Sequence, residues 1–160
     1  IGINWRGNRK DNAKSQRSFD LSLFQKLSSF QNVSFVSLQR GPAQRDLELS
    51  LFKHTFSVFQ NEINFLANSD KGDDFMEYAS IVDVCDLVIT GATALAELSG
   101  AMGTTTWVGL TKVPDDWRWG LESYTSQWYT DMKLFRQSQA KSWDEVFDDI
   151  NNEFTLTYQA

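Results

Sequence analysis

Arg6, Arg9, Lys10, Lys14 and Arg17 are five of the chain's 15 Lys and Arg residues, and Asp11 is the one opposing charge among them. The whole chain carries a formal charge of -6, so this cluster runs against its background. It follows a short apolar stretch, Ile1 to Trp5, and Gly7. A strand that ends in a glycine and a basic loop, with a helix beyond, suits an anion such as phosphate. Glycine lets a ligand approach the backbone, and a helix start offers unpaired N–H groups at a positive dipole end. A solvated charged loop is the competing reading. A second candidate is the turn Thr90-Gly91-Ala92-Thr93, where small side chains leave helix-start amides open. The same small residues would also let a helix pack closely on a sheet. Glu97, one turn further, has the acceptor oxygens a ribose or sugar hydroxyl needs, or is a solvent-facing carboxylate near a favourable dipole end. A third is Asp115-Asp116-Trp117-Arg118-Trp119-Gly120, with Trp128-Tyr129 beyond it. Arginine stacks well on aromatic rings, so this loop either walls a base or sugar pocket, plugs the edge of the domain or meets another domain. His54, the one histidine, has the chemistry of a base, but beside Lys53 a surface or partly packed histidine is the simpler reading.

Composition narrows what these groups can serve. With 160 residues, 41% of them hydrophobic, the chain suits one domain, 1–160, with a proper core. Net acidity argues against general nucleic-acid binding, which needs a broad basic face. One cysteine, Cys85, leaves no intrachain disulfide, and one Cys with one His makes no metal-ligand cluster. No stretch is long and apolar enough to span a membrane, and no signal peptide is visible. A cytoplasmic location is the expectation. Because Ile1 enters an apparent strand directly, the chain reads as a fragment of a longer protein.

Positioning these groups requires strands alternating with helices. Residues 1–5, 33–39, 62–66, 86–90, 105–110 and 131–136 read as strands. In residues 20–30, Leu23, Phe24, Leu27 and Phe30 fall on one helical face, with Ser18 or Asp20 as cap and Asn32 as the stop. Residues 43–61 suit either helix or extended structure. Residues 74–84 and the segment after Thr93 read as helices, Thr93 capping the latter and Gly103 closing it. Residues 142–153 form a last amphipathic helix, with Ser142 and Glu145 at capping-box spacing, and 154–160 are indeterminate. The alternation predicts an α/β fold, a mostly parallel sheet with helices on both faces. Ligands of such sheets bind beyond the carboxyl ends of the strands, near the switch in strand order.

The order IGINWRGN, Lys10, Arg17-Ser18, FVSLQRGP at 35–42, LSGAMG at 98–103, DWRWG, WY and LFRQ at 134–137 resembles the C-terminal domain of bacterial glycosyltransferases related to the heptosyltransferases. In many such proteins the domain follows tetratricopeptide repeats. The resemblance covers roughly residues 1–150. It implies a Rossmann-like domain, the C-terminal half of a GT-B fold, that binds a nucleotide-sugar donor while a missing N-terminal half supplies acceptor contacts and the catalytic base. It further implies that Asn8, Lys10 and Arg17 neutralise the donor diphosphate, that Gln39 lies near the nucleotide, and that Thr90, Gly91, Ala92 and Thr93 form the phosphate turn. No cofactor or metal is implied, because these cations would stabilise the leaving diphosphate. Three positions depart from the pattern, one of them Arg9, which stands where proline is frequent. Ala92 stands where an Asp precedes the helix-starting Thr, and Glu97 stands where a His follows five residues after that Asp. A degenerate, non-catalytic domain serving in ligand or protein binding is therefore the alternative. A dinucleotide-binding domain is poorer, since no G-x-G-x-x-G follows the first strand.

Overall fold

The computed structural model of the protein describes residues 1–7, 16–28, 30, 33–49, 75–113, 116–138 and 142–158. Five strands, β1 (Gly2–Ile3), β2 (Val36–Ser37), β3 (Val88–Gly91), β4 (Thr106–Leu110) and β5 (Met132–Arg136), form one sheet in the order β2-β1-β3-β4-β5. All four pairings are parallel, with Gly2 opposite Val36 and Val88, Val88 opposite Thr106, and Thr106 opposite Met132. Among the described residues four α-helices accompany them: α1 (Arg45–Leu49), α2 (Phe75–Asp83), α3 (Ala94–Met102) and α4 (Asp144–Tyr158). The fold is Rossmann-like α/β, as the alternation predicts.

The two-residue period of the strands divides the core. Ile3, Trp5, Ile89 and Trp107 face one side, where they pack with Phe24, Leu27, Phe147, Ile150 and Phe154. Leu38, Val88, Val108 and Leu134 face the other, under Tyr78, Val82, Leu95 and Ala96. The outer edge of β5 is covered by the segment before it: Leu134 N–H donates to Tyr124 O at 2.8 Å, and Thr125 bridges Lys133 antiparallel.

Three local expectations change. Residues Leu21–Leu27 form a 3₁₀ helix rather than an α-helix, capped by Asp20, whose carboxylate accepts from Ser22 N–H. Leu21, Phe24 and Leu27 are the buried residues, and that three-residue spacing is the one a 3₁₀ helix aligns on a single face. The last helix runs through Tyr158 rather than stopping at 153, because Phe154 continues the apolar stripe of Phe147 and Ile150. Thr93 occupies the N-cap of α3 without a side-chain cap bond, while Gly103 closes that helix with a left-handed φ of 76°. Residues 45–49 of the ambiguous stretch are helical. The strand expected at 62–66, the stop at Asn32 and His54 lie outside the described residues.

Candidate functional site

Strand order 2-1-3-4-5 reverses direction between β1 and β3, so the carboxyl ends of these two strands form the switch-point crevice. Buried polar groups fill its floor. Asn4, at the end of β1, donates through Nδ2 to Gln39 Oε1 at 3.2 Å, and the Thr90 hydroxyl lies 3.2 Å from Asn4 Oδ1. The Thr90 hydroxyl also lies 3.0 Å from that of Thr93, which explains why Thr93 does not cap.

Gln39 uses its whole amide. Its Oε1 accepts from Asn4 Nδ2, Trp5 N–H at 3.2 Å and Arg6 N–H at 2.8 Å, and its Nε2 donates to the carbonyls of Arg6 at 3.1 Å and Arg40 at 2.9 Å. The side chain staples the chain after β1 to the chain after β2. Arg6 Nε pairs with Asp46 Oδ2 at 3.0 Å, and the same oxygen accepts from Trp5 Nε1. Asp46 on α1 thus holds the exit of β1.

Residues 16–19 cross over this floor. Phe19 N–H donates to Trp5 O, and Arg17 Nη1 donates to Ala92 O at 3.3 Å, just before α3 begins. A Cβ on Gly91 would sit 2.7 Å from the Arg17 carbonyl oxygen, so this glycine admits the crossing segment. Arg17, Ala92, Gly109, Leu110, Thr111, Asp116 and Trp119 line a crevice beyond β3 and β4.

Glu97, in the first turn of α3, does not stand alone in solvent. Arg118 Nη2 reaches Glu97 Oε1 at 2.8 Å and Asp116 Oδ2 at 2.6 Å. Asp116 also accepts from Arg118 N–H at 3.0 Å and so caps the 3₁₀ turn Trp117–Trp119. Arg136, at the end of β5, donates to the carbonyls of Trp119 and Thr111, and burial lowers its pKa. Two buried donors, Arg118 Nε and Gln137 Nε2, have no partner among the described residues.

The fold therefore gathers Arg17, Gln39, Thr90, Gly91, Ala92, Thr93 and Glu97 at one end of the sheet. Asn8 and Lys10 lie outside the described residues. Thr90 and Gly91 are buried beneath the residues around them, and Gln39 is committed to the backbone. Arg17, Thr93 and Glu97 keep partial exposure. The sequence reasoning missed Asn4, and it named Asp116 in the Trp-rich stretch without the Arg118 pairing and the capping role the structure gives it. A polar residue within the apolar run of β1 marks the first, and an Asp two residues before an Arg in a Trp-rich turn marks the second. Among the described residues no three His, Cys, Asp or Glu side chains converge as metal ligands, and no helix is long and apolar enough to cross a membrane.

With this geometry in place, the chain can be set beside known proteins. It is similar to Protein FlbA of Caulobacter vibrioides. The two are 28% identical over 145 residues, an alignment that takes in 90% of this chain and 23% of FlbA. The chain thus spans less than a quarter of the length of that relative. No family model matches the chain, and no solved structure matches it.

Proposed function

We propose that this domain binds a nucleoside-diphosphate sugar and is the donor-binding, C-terminal half of a GT-B glycosyltransferase. The observation that carries the reading is the position of Arg17, hydrogen-bonded to Ala92 O at the start of α3. A guanidinium beside a helix N-terminus, at the switch point of a parallel sheet, offers two independent attractions to a diphosphate. In the transfer step charge develops on the leaving diphosphate, and these groups stabilise it there. Asn8 and Lys10 complete the cationic wall on this reading. The acceptor contacts, the catalytic base and any tetratricopeptide repeats belong to the rest of a longer, cytoplasmic bacterial protein.

Arg17→Ala is expected to weaken binding of a nucleoside diphosphate roughly tenfold or more, as loss of a charge-assisted contact does. Titration calorimetry on the parent and the variant checks it, and equal affinities would sink the reading.

One observation favours the second reading, a binding domain without catalysis. Glu97, at the position where the resembling family carries a histidine, is taken up by Arg118. It cannot donate a hydrogen bond to a diphosphate while ionised. A thermal-shift screen of nucleotides and nucleotide-sugars separates the readings, since a ligand raises stability by RT ln(1 + [L]/Kd). A shift with no compound in the screen would favour the non-catalytic domain.

A further inference from the structure

Trp117, which follows the crevice-lining Asp116 in the chain, belongs to an exposed aromatic pair. Trp117 is 73% exposed and Trp128 is 57% exposed, yet their rings touch edge to face with centroids 5.5 Å apart. Contiguous exposed apolar surface marks interaction sites, whereas single exposed side chains need no explanation, and these two rings are in contact. The turn that carries Trp117 is fixed on both sides. Asp116 caps it and pairs with Arg118, Arg118 reaches across to Glu97 on α3, and the buried Trp119 gives its carbonyl to Arg136. Trp117 is therefore held out into solvent by a rigid support, the preorganisation that lowers the entropic cost of binding.

We propose that Trp117 and Trp128 form the stacking surface for the sugar ring of the diphosphate-linked ligand. An indole face carries negative quadrupole charge, and one face of a pyranose presents C–H groups that complement it. The ring's hydroxyls need acceptors, and the partly exposed carboxylates that pair with Arg118, Asp116 next to Trp117 in the chain and Glu97 on α3, have lone pairs left to take them. Asp116 lines the same crevice as Arg17, and Trp117 follows it in the chain. On this proposal a diphosphate bound over Arg17 extends its sugar past Asp116 toward Trp117. A second copy of this chain fits the patch less well, since both carry a formal charge of -6 and the patch is edged by carboxylates. The assignment rests on the diphosphate reading for what precedes the sugar.

The test is a nitrogen–proton correlation spectrum of the labelled chain, with UDP, GDP and ADP as probes, each with and without a hexose. A nucleotide-sugar should move the amide signals of Ala94 and Leu95 and the indole signals of Trp117 and Trp128, while the matching diphosphate moves the amides alone. Trp117→Ala, and separately Trp128→Ala, should cost the nucleotide-sugar roughly two- to tenfold in affinity and leave the diphosphate unchanged. Amides moving while both indoles stay still, or an unchanged affinity in both variants, would overturn the stacking surface. Indoles moving without the amides would overturn the diphosphate reading and keep the stack. If neither set moves with any probe, both fall.

Discussion

The two sides of the crevice meet their polar groups differently. At the switch point, Asn4, Gln39 and Thr90 are buried and hydrogen-bonded, and the Gln39 side chain alone makes five hydrogen bonds, four of them to backbone. Around Arg118, the ion pairs are partly exposed and two indoles face solvent. A saturated buried network holds loops in place and has little left to offer a ligand, whereas rings that face solvent bury little surface and contribute little to folding. The switch point therefore acts as the frame and the tryptophan turn as a recognition surface. Arg17 donates to the Ala92 carbonyl at the start of α3 and lines a crevice with Asp116 and Trp119.

The largest effect expected from this difference is on the frame. Gln39→Ala leaves two backbone N–H groups, two carbonyls and the Asn4 amide without their partner, and should cost about 2–4 kcal/mol in urea unfolding. A loss below about 1 kcal/mol would mean that water replaces Gln39 freely and that the two regions do not differ as described. Gly91→Ala comes next. Its new Cβ meets backbone rather than a movable side chain, the Arg17 carbonyl at 2.7 Å. Overpacking of this kind should cost about 1–3 kcal/mol. It should also displace Arg17, so the variant sharpens the comparison if diphosphate affinity falls with stability.

The frame was more legible in the sequence than the recognition surface. Apolar runs ending in glycine or small residues foretell β1, β3 and β4, and the alternation of elements foretells a parallel sheet. Gln39 and Thr90 lie at the sheet end the sequence suggested, yet their atoms turn to the chain itself. Spacing reveals which end of a strand a residue occupies, but not how many of its bonds the backbone will claim. The 3₁₀ helix at Leu21–Leu27 was hidden because Leu23 and Phe30 complete an α-like pattern, although both are only partly buried against the core. The Glu97–Arg118 pair joins residues 21 positions apart on separate elements. No local pattern encodes such a contact; it appears only once α3 and the Trp117–Trp119 turn are packed together.

Both regions use an aspartate to start a 3₁₀ turn, and this allows a matched test. Asp20 caps Leu21–Leu27, and the backbone N–H of Ser22 bonding its carboxylate is the main reason its pKa lies below the ordinary value. Asp20→Ala should cost about 1 kcal/mol at neutral pH, as loss of a cap does. A carboxylate with a lowered folded-state pKa adds stability above its unfolded pKa, near 4, and loses it as pH falls through the lower folded value. The gap between parent and variant in denaturant midpoint should therefore narrow on acidification through that window. A gap constant down to pH 2 would show that the ionised carboxylate is not what stabilises the cap.

The smallest effect on stability belongs to Arg118→Ala. Its side chain is 37% exposed, and its pairs with Glu97 and Asp116 are partly screened by water. Ion pairs this exposed contribute about 0–1 kcal/mol, and less at high salt. If the tryptophan turn is a recognition surface rather than frame, the variant should stay within that range, well below Gln39→Ala. Its signature should instead be local. Without Arg118 bridging to α3, the Trp117–Trp128 contact loses its support, and the indole signals of those two residues should broaden or shift while those of buried Trp5 and Trp107 stay fixed. A stability loss rivalling that of Gln39→Ala would make Arg118 part of the frame and erase the distinction between the two regions.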